Sequence, residues 1–264
     1  PRWDAARRAW GGWVTLLHCM RSKDRMRGAA RRLAFVPCRR ARRAAHTDNQ
    51  LDLVRAVRET GTPVVAVFVE GRPRTFSQVE SDLDGVVMAY LAGDFAGPAI
   101  AKVLSGSHNP SGKLPFSWPR EASSHTTYDR KHTEKHHSAR PQYAFGSGLS
   151  YSPVETTALR LLNEGNVVLG DTLKIEVDLV NKGDRPTNEV VMAFVQDRVA
   201  SITPSVDKLK AYKRVLVDAG ATMTVSLLVP TAELGFIGTD LEYVVEPGAF
   251  GLRVQQQTLE FELN

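Results

Sequence analysis

The stretch Thr172-Leu173-Lys174-Ile175-Glu176-Val177-Asp178-Leu179-Val180-Asn181 decides the fold of its half of the chain. Leu173, Ile175, Val177 and Leu179 alternate with Lys174, Glu176 and Asp178. A period of two places all the apolar side chains on one face of a strand and all the charges on the other. Working outward, Met223, Val225 and Leu227 repeat the pattern, as do Phe250, Leu252 and Val254, and Leu259, Phe261 and Leu263. Turn chemistry separates them at Asn181-Lys182-Gly183-Asp184, Asp218-Ala219-Gly220 and Pro247-Gly248. With Val190–Val195, Tyr212–Val217 and Tyr243–Val245, about seven short strands are expected from residue 151 to 264. Even spacing and one apolar face predict a β-sandwich of immunoglobulin or fibronectin III type.

Upstream the period changes. Asp48 or Asn49 is placed to cap a helix through Leu51, Val54 and Val57, which Gly61 ends and Pro63 cannot continue. Val64–Val69 and Val86–Leu91 are short, fully apolar runs, as strands buried on both faces of a parallel sheet require. Pro98 opens a second helix through Ile100, Val103 and Leu104, with Gly106 as its stop. Two such strands are too few for a whole doubly wound domain. The expected fold class is thus α/β plus all-β: a partial doubly wound α/β sandwich domain over 46–120, a linker over 121–150, and the β-sandwich over 151–264.

Residues 1–45 stand apart. They hold twelve Arg and one Lys against Asp4 and Asp24, a net +11, whereas the 264-residue chain is only +5 and the remainder is −6. Three of the four Trp (Trp3, Trp10, Trp13) and both Cys (Cys19, Cys38) lie here. No sustained period runs through the segment, so it is expected to stand outside the fold. Out-of-frame translation of a GC-rich gene is the simplest account of its Arg, Ala, Gly and Pro. An arm for nucleic acid, with Arg39, Arg40, Arg42 and Arg43 on phosphates, is the next reading, and a transit peptide the third. Cys19 and Cys38 lack the close pairing of a zinc knuckle. No apolar run is long enough to span a membrane.

Two motifs flank the expected linker. Asn109-Pro110-Ser111-Gly112-Lys113-Leu114-Pro115 is turn chemistry with an extended exit, followed by Phe116-Ser117-Trp118-Pro119. Tyr143-Ala144-Phe145-Gly146-Ser147-Gly148-Leu149-Ser150-Tyr151 sets two glycines between aromatics, a tight turn pinned by buried rings. In this order, with Gly71-Arg72-Pro73, Tyr90-Leu91-Ala92-Gly93-Asp94 and Val244-Val245-Glu246-Pro247-Gly248, the chain resembles the carboxyl-terminal part of family 3 glycoside hydrolases, the β-glucosidase-like enzymes. The resemblance covers roughly Asn49 to the end. It implies a parent protein that hydrolyses O-glycosyl bonds of β-linked sugars, with a β-linked oligosaccharide or glucoside as substrate. It also implies a preceding (β/α)₈ barrel, absent from this sequence, as intramolecular partner and source of the Asp nucleophile. A Glu acid/base would belong in a loop just before Asn49, but residues 25–47 contain no Asp or Glu. Glu70 stands where the family usually has a small polar residue, and Phe95 and Ala96 replace common glycines.

No catalytic, cofactor-binding or metal residue is therefore assigned, no cofactor is expected, and the chain alone is expected to be inactive. Glu70, Asp82, Asp84 and Asp94 are carboxylates near strand ends, read as loop or capping acids. Trp118 and Tyr90 have faces suited to a sugar ring but are read as packed. His132, Glu134, His136 and His137 have raw metal-ligand types, yet the Glu spacing is wrong for the zinc helix motif and Lys131 and Lys135 repel a cation. Two further functional readings remain: a non-catalytic carbohydrate- or protein-binding module, with exposed Tyr212 as a candidate contact, and nucleic-acid binding through the Arg-rich segment, which is not the expected partner. No compartment is assigned.

Overall fold

A computed structural model describes residues 15–17 (by their backbone), 46, 48–122, 127–130, 140–163 and 167–264. These fall into two compact units, residues 1–101 with 118–124, and residues 102–117 with 125–264, so the division passes through a helix.

In the first unit, α1 (Asp48–Arg58) buries Leu51 and Val54 and carries Asp48 in its first turn and Arg55 and Arg58 in its last, matching the helix dipole. Gly61 takes φ +77 and stops it, as expected. β2 (Val64–Phe68) is central in a parallel three-stranded sheet, between β1 (Thr15–Leu17) and β3 (Gly85–Met88). Val64 and Val67 are almost wholly buried. Both strands expected here form, each shorter at its carboxyl end than the apolar run suggested. β1 departs from expectation: Thr15, Leu16 and Leu17 pair with Val64, Val65 and Ala66, inside a segment whose lack of a sustained period had set it outside the fold. The physical reason is that Thr-Leu-Leu is a short uncharged run, and β2 otherwise presents an open row of backbone groups on that side. The rest of the Arg-rich segment, including Cys19, Cys38 and Arg39–Arg43, lies outside the described residues. α2 (Ala96–Leu104) begins two residues before Pro98 and ends at Gly106, φ +76.

The second unit contains the sandwich. One sheet holds β4 (Val154–Leu161), β5 (Thr172–Asn181) and β8 (Thr222–Pro230). The other has the order β12 (Gln257–Leu263), β11 (Gly248–Val254), β6 (Thr187–Asp197), β7 (Lys208–Val217). A short pair, β9 (Phe236–Ile237) with β10 (Tyr243–Val244), is added beside them. The register sets Leu173 opposite Val229, Ile175 opposite Leu227 and Val177 opposite Val225, all buried. Val191, Ala193, Val195, Phe250, Leu252 and Val254 face them from the second sheet in one continuous core. The fibronectin-type sandwich read from the alternation is thus present, with two differences: β4 was not among the expected strands, and the strand expected at Tyr243–Val245 is β10, paired with β9 and with neither sheet.

What the alternation did not reveal is how the two motifs lock onto this sandwich. Gly146 N donates to Leu114 O and Leu114 N to Ser147 O, each at 2.8 Å, so the motif loops pair with one another. Gly146 adopts φ +80, and a Cβ at Gly148 would collide with the Gly112 carbonyl oxygen; both positions need glycine. The Asn109 carboxamide accepts from Ser150 Oγ (2.9 Å) and Tyr151 N (2.8 Å) and donates to Pro186 O (3.3 Å). Tyr151 Oη donates to Val103 O at 2.8 Å, and Arg185 Nη1 donates to Gly106 O at 2.9 Å, so the last turn of α2 and its stop are tied to the sandwich. Beneath this, Lys113 Nζ donates to Gly148 O and stands 3.0 Å from Glu189 Oε1 on β6. Glu189, only 5% exposed, also accepts from Gln255 Nε2 at 3.1 Å. The Phe145 ring stacks on Tyr128 (4.4 Å) and meets Phe194 edge-on (6.1 Å), with Arg253 over the Phe194 ring. The described parts of 121–150 are therefore packed chain, not a free linker; rings that bury apolar area hold what the polar, His-, Lys- and Arg-rich composition suggested would be loose.

A buried charge left alone is far worse than a buried pair. Glu189→Ala or Lys113→Met is expected to lower stability by about 3–5 kcal/mol. Lys113→Met with Glu189→Met is expected to lose less than either single change. Urea denaturation of the three variants measures this as a double-mutant cycle, and additive losses would contradict the pairing.

Candidate functional site

Ligands of open α/β sheets bind outside the carboxyl ends of the strands. Because β2 and β3 are parallel, both end at the same edge, with Ala89 N donating to Phe68 O at 2.8 Å. Two residues past each strand stand Glu70 and Tyr90. Tyr90 adopts φ +52, a left-handed conformation that is rare for an aromatic residue and marks local strain. Leu91 and Phe95 beyond it are 75% and 82% exposed.

Glu70 is the most enclosed acid at this edge, its side chain 11% exposed. Arg74 N donates to Oε1 at 3.2 Å, and Arg74 Nε lies 3.3 Å from Oε2. Burial raises the Glu70 carboxyl above its ordinary value, and the Arg74 charge partly offsets this. His46 Nε2 stands 4.0 Å from Oε1, but burial, helped by Arg74, lowers the His46 pKa to about 4, so the imidazole is neutral at neutral pH. The imidazole stacks on Phe68 at 4.8 Å, and Phe68 in turn packs on Phe76 and Trp118. Trp118 is 1% exposed and donates from Nε1 to Arg74 O at 3.0 Å, which orients the Arg74 segment. Its ring is core, as its reading as a packed residue expected, and has no face for a sugar.

The remaining carboxylates scatter. Asp84 Oδ2 accepts from Val64 N (2.8 Å) and from Arg58 Nη1 (3.0 Å), capping the amino end of β2, the opposite edge of the sheet. Asp82 closes a 3₁₀ turn (Ser77–Asp82) at that same end. Asp94 is exposed on the turn after Gly93, which has φ +67. The carboxyl edge thus brings together Glu70, Tyr90, Asp94 and two exposed apolar side chains, and leaves Asp82 and Asp84 out. The His46–Glu70–Arg74 group was missed from sequence, since its members are 24 and 4 residues apart with no motif linking them. Among the described residues no group of three or more His, Cys, Asp or Glu side chains is arranged to hold a metal, and no helix is long and apolar enough to cross a membrane. His132, His136 and His137 lie outside the described residues.

The chain thus holds a parallel α/β unit with acids and exposed side chains at its carboxyl edge, and a β-sandwich unit that includes the two glycine-bearing loops. Residues 39–151 match the glycosyl hydrolase family 3 C-terminal domain, and residues 189–258 match the fibronectin type III-like domain. The chain belongs to the family 3 glycoside hydrolases, as a carboxyl-terminal part. It is 33% identical over 214 residues to a β-xylosidase of Formosa agariphila, a match covering 78% of this chain and 30% of the relative. It is 32% identical over 240 residues to the periplasmic β-glucosidase of Salmonella typhimurium, covering 80% and 31%. The β-glucosidase of Listeria innocua in complex with glucose superposes with a TM-score of 0.77 at 29% identity, covering 84% of this chain and 34% of that one. The chain spans about 30% of the length of these curated relatives.

The His46 environment makes a prediction. Between pH 6.5 and about 4 the unfolded chain binds a proton at His46 that the folded chain refuses, so stability falls as pH drops through that window. Glu70 acts in the opposite sense, because its raised carboxyl takes up a proton more readily when folded. An NMR titration, assigned with His46→Phe, is expected to place the His46 midpoint near 4. A midpoint at the ordinary value of 6.5 would contradict the burial.

Proposed function

We propose that this chain is the non-barrel part of a family 3 β-glycosidase whose whole protein hydrolyses O-glycosyl bonds of β-linked glucosides or xylosides. The observation that supports the reading is the match to β-xylosidase and β-glucosidase relatives across about four-fifths of the chain, carried through both units. A retaining mechanism needs two carboxylates about 5–5.5 Å apart, one a nucleophile and one a proton donor in an enclosed site. Glu70 engages both its oxygens with Arg74, Asp84 caps β2, and Asp94 stands in solvent. In this reading both catalytic carboxylates come from outside the described residues. The role of this part is to cover and complete the sugar site with its carboxyl edge. Leu91 and Phe95, so exposed here, are then the side chains that a barrel covers.

Binding-module behaviour is a second reading, favoured by the closed core of the sandwich, which needs nothing from elsewhere to bury its apolar faces.

Two assays test the first reading. The chain alone is expected to show no turnover of p-nitrophenyl β-glucoside or β-xyloside; activity that co-purifies with it would refute the assignment of both carboxylates elsewhere. A chimera joins residues 46–264 to the part of the Salmonella enzyme outside its match to this chain. It is expected to hydrolyse the β-glucoside at least about tenfold faster than that part alone, a gain of about 1.4 kcal/mol in barrier. No gain would sink the reading.

A further inference from the structure

Two exposed apolar patches of opposite charge stand on the sandwich unit, and the hydrolase reading gives neither a role. The first is the β9–β10 hairpin. Its directly paired residues Ile237 and Tyr243 are both exposed, and Leu241 at the tip is 81% exposed. Residues 231–250 around them hold Glu233, Asp240, Glu242 and Glu246 and no Lys or Arg. The second patch is β7, the open edge of the four-stranded sheet. Val215 and Val217 turn toward the core, so Tyr212, Arg214 and Leu216 share the outer face, all three exposed. This strand holds Lys208, Lys210, Lys213 and Arg214 and no acid. We propose that both patches are occupied by a second copy of this chain, the acidic hairpin of each copy docking on the basic strand of the other.

Three features carry the assignment. First, Leu241 is held out against its own preference. It adopts φ +69, where Gly or Asn is at ease and a bulky side chain is rare. The tip is nonetheless fixed. Gly238 N donates to Glu242 O at 2.8 Å, Leu241 N to Gly238 O at 3.1 Å, Glu242 N to Asp240 Oδ1 at 3.1 Å and Tyr243 Oη to Ala232 O at 3.0 Å. A rigid turn that presents a strained, exposed leucine is shaped for contact, and little is left to order when the contact forms. Second, the charges are unmatched. Arg58, Arg160, Arg198 and Arg253 each have an acid partner within the chain. Among the described residues Lys213, Arg214, Asp240 and Glu242 enter no ion pair, and Arg214 Nη2 donates to the neutral Ser111 Oγ at 3.0 Å. A copy of this chain brings acids to Lys213 and Arg214 and bases to Asp240 and Glu242 at once. An anionic polymer suits the strand but is repelled by the hairpin. Third, the patches are neighbours. Lys210 Nζ donates to Glu233 O just ahead of the hairpin, and Lys210 precedes Tyr212 by two residues on β7. Complementary patches so close together can be joined reciprocally about one two-fold axis, which closes the pair.

The test is sedimentation velocity of the full chain over a range of concentrations. A species of twice the chain mass is expected to grow in with a Kd of about 100 μM or tighter. Raising NaCl from about 0.05 M to about 0.5 M is expected to weaken it at least about fivefold, since screening acts on exposed charges. Lys213→Glu with Arg214→Glu is expected to be monomeric, and so is Glu242→Lys. An equimolar mixture of these two variants is expected to associate again, because each supplies the charge that the other lacks. Leu241→Asn is expected to weaken association at least about tenfold while its melting temperature holds or rises, since Asn accepts the conformation of the tip. A native chain that stays monomeric overturns the interface. So does association that survives the charge reversals, survives Leu241→Asn or ignores salt, and so does a mixture of folded variants that fails to associate. Pairing through the sandwich needs neither a barrel nor a catalytic carboxylate, so its outcome is separate from that of the chimera.

Discussion

The buried Glu189 carboxylate is the constraint on which the second unit depends. It sits on an inner strand of the four-stranded sheet, almost without solvent, and is tolerable there only because Lys113 and Gln255 reach it. A charge so enclosed demands its partners. Meeting that demand draws the 109–115 loop onto the sandwich, and the loop brings the end of a helix with it through Asn109, Tyr151 and Arg185. The two most legible motifs of the chain are therefore structural. They make residues 102–117 part of the sandwich unit, although in sequence they follow the α/β elements without a break.

At the sheet's carboxyl edge the chemistry is of the opposite kind. The one enclosed acid is neutralised by Arg74 and held beside a neutral imidazole, and the aromatic residues behind it are core. What this edge offers outward is Tyr90 in a strained conformation and two exposed apolar side chains.

Sequence legibility followed the range of the interactions. The strands of the sandwich were readable because burial of one face writes itself locally as alternation, as in Leu173 to Leu179. The helix stops were readable because Gly61 and Gly106 take positive φ that few other residues accept. Glu189 looked like any polar residue before a strand, since its partner lies 76 residues away in a loop. His46, Glu70 and Arg74 belonged to no motif and met only through the fold of the sheet edge. The bulge opposite Ala193/Phe194 leaves Lys210 out of the β6–β7 register and so interrupts the period of β7 there, and the strand, read from sequence as starting at Tyr212, runs from Lys208. Packing of 121–150 was hidden because its anchors, Tyr128 and Phe145, are single rings within polar, flexible-looking composition.

Hydrogen exchange followed peptide by peptide tests the central claim most directly: that the two motifs bind residues 102–117 into the sandwich. The account predicts that amides of 109–117 and 143–151 exchange by the same opening as β5 and β6, with protection close to the global value. Rapid exchange of both loops while the sandwich strands stay protected would contradict it.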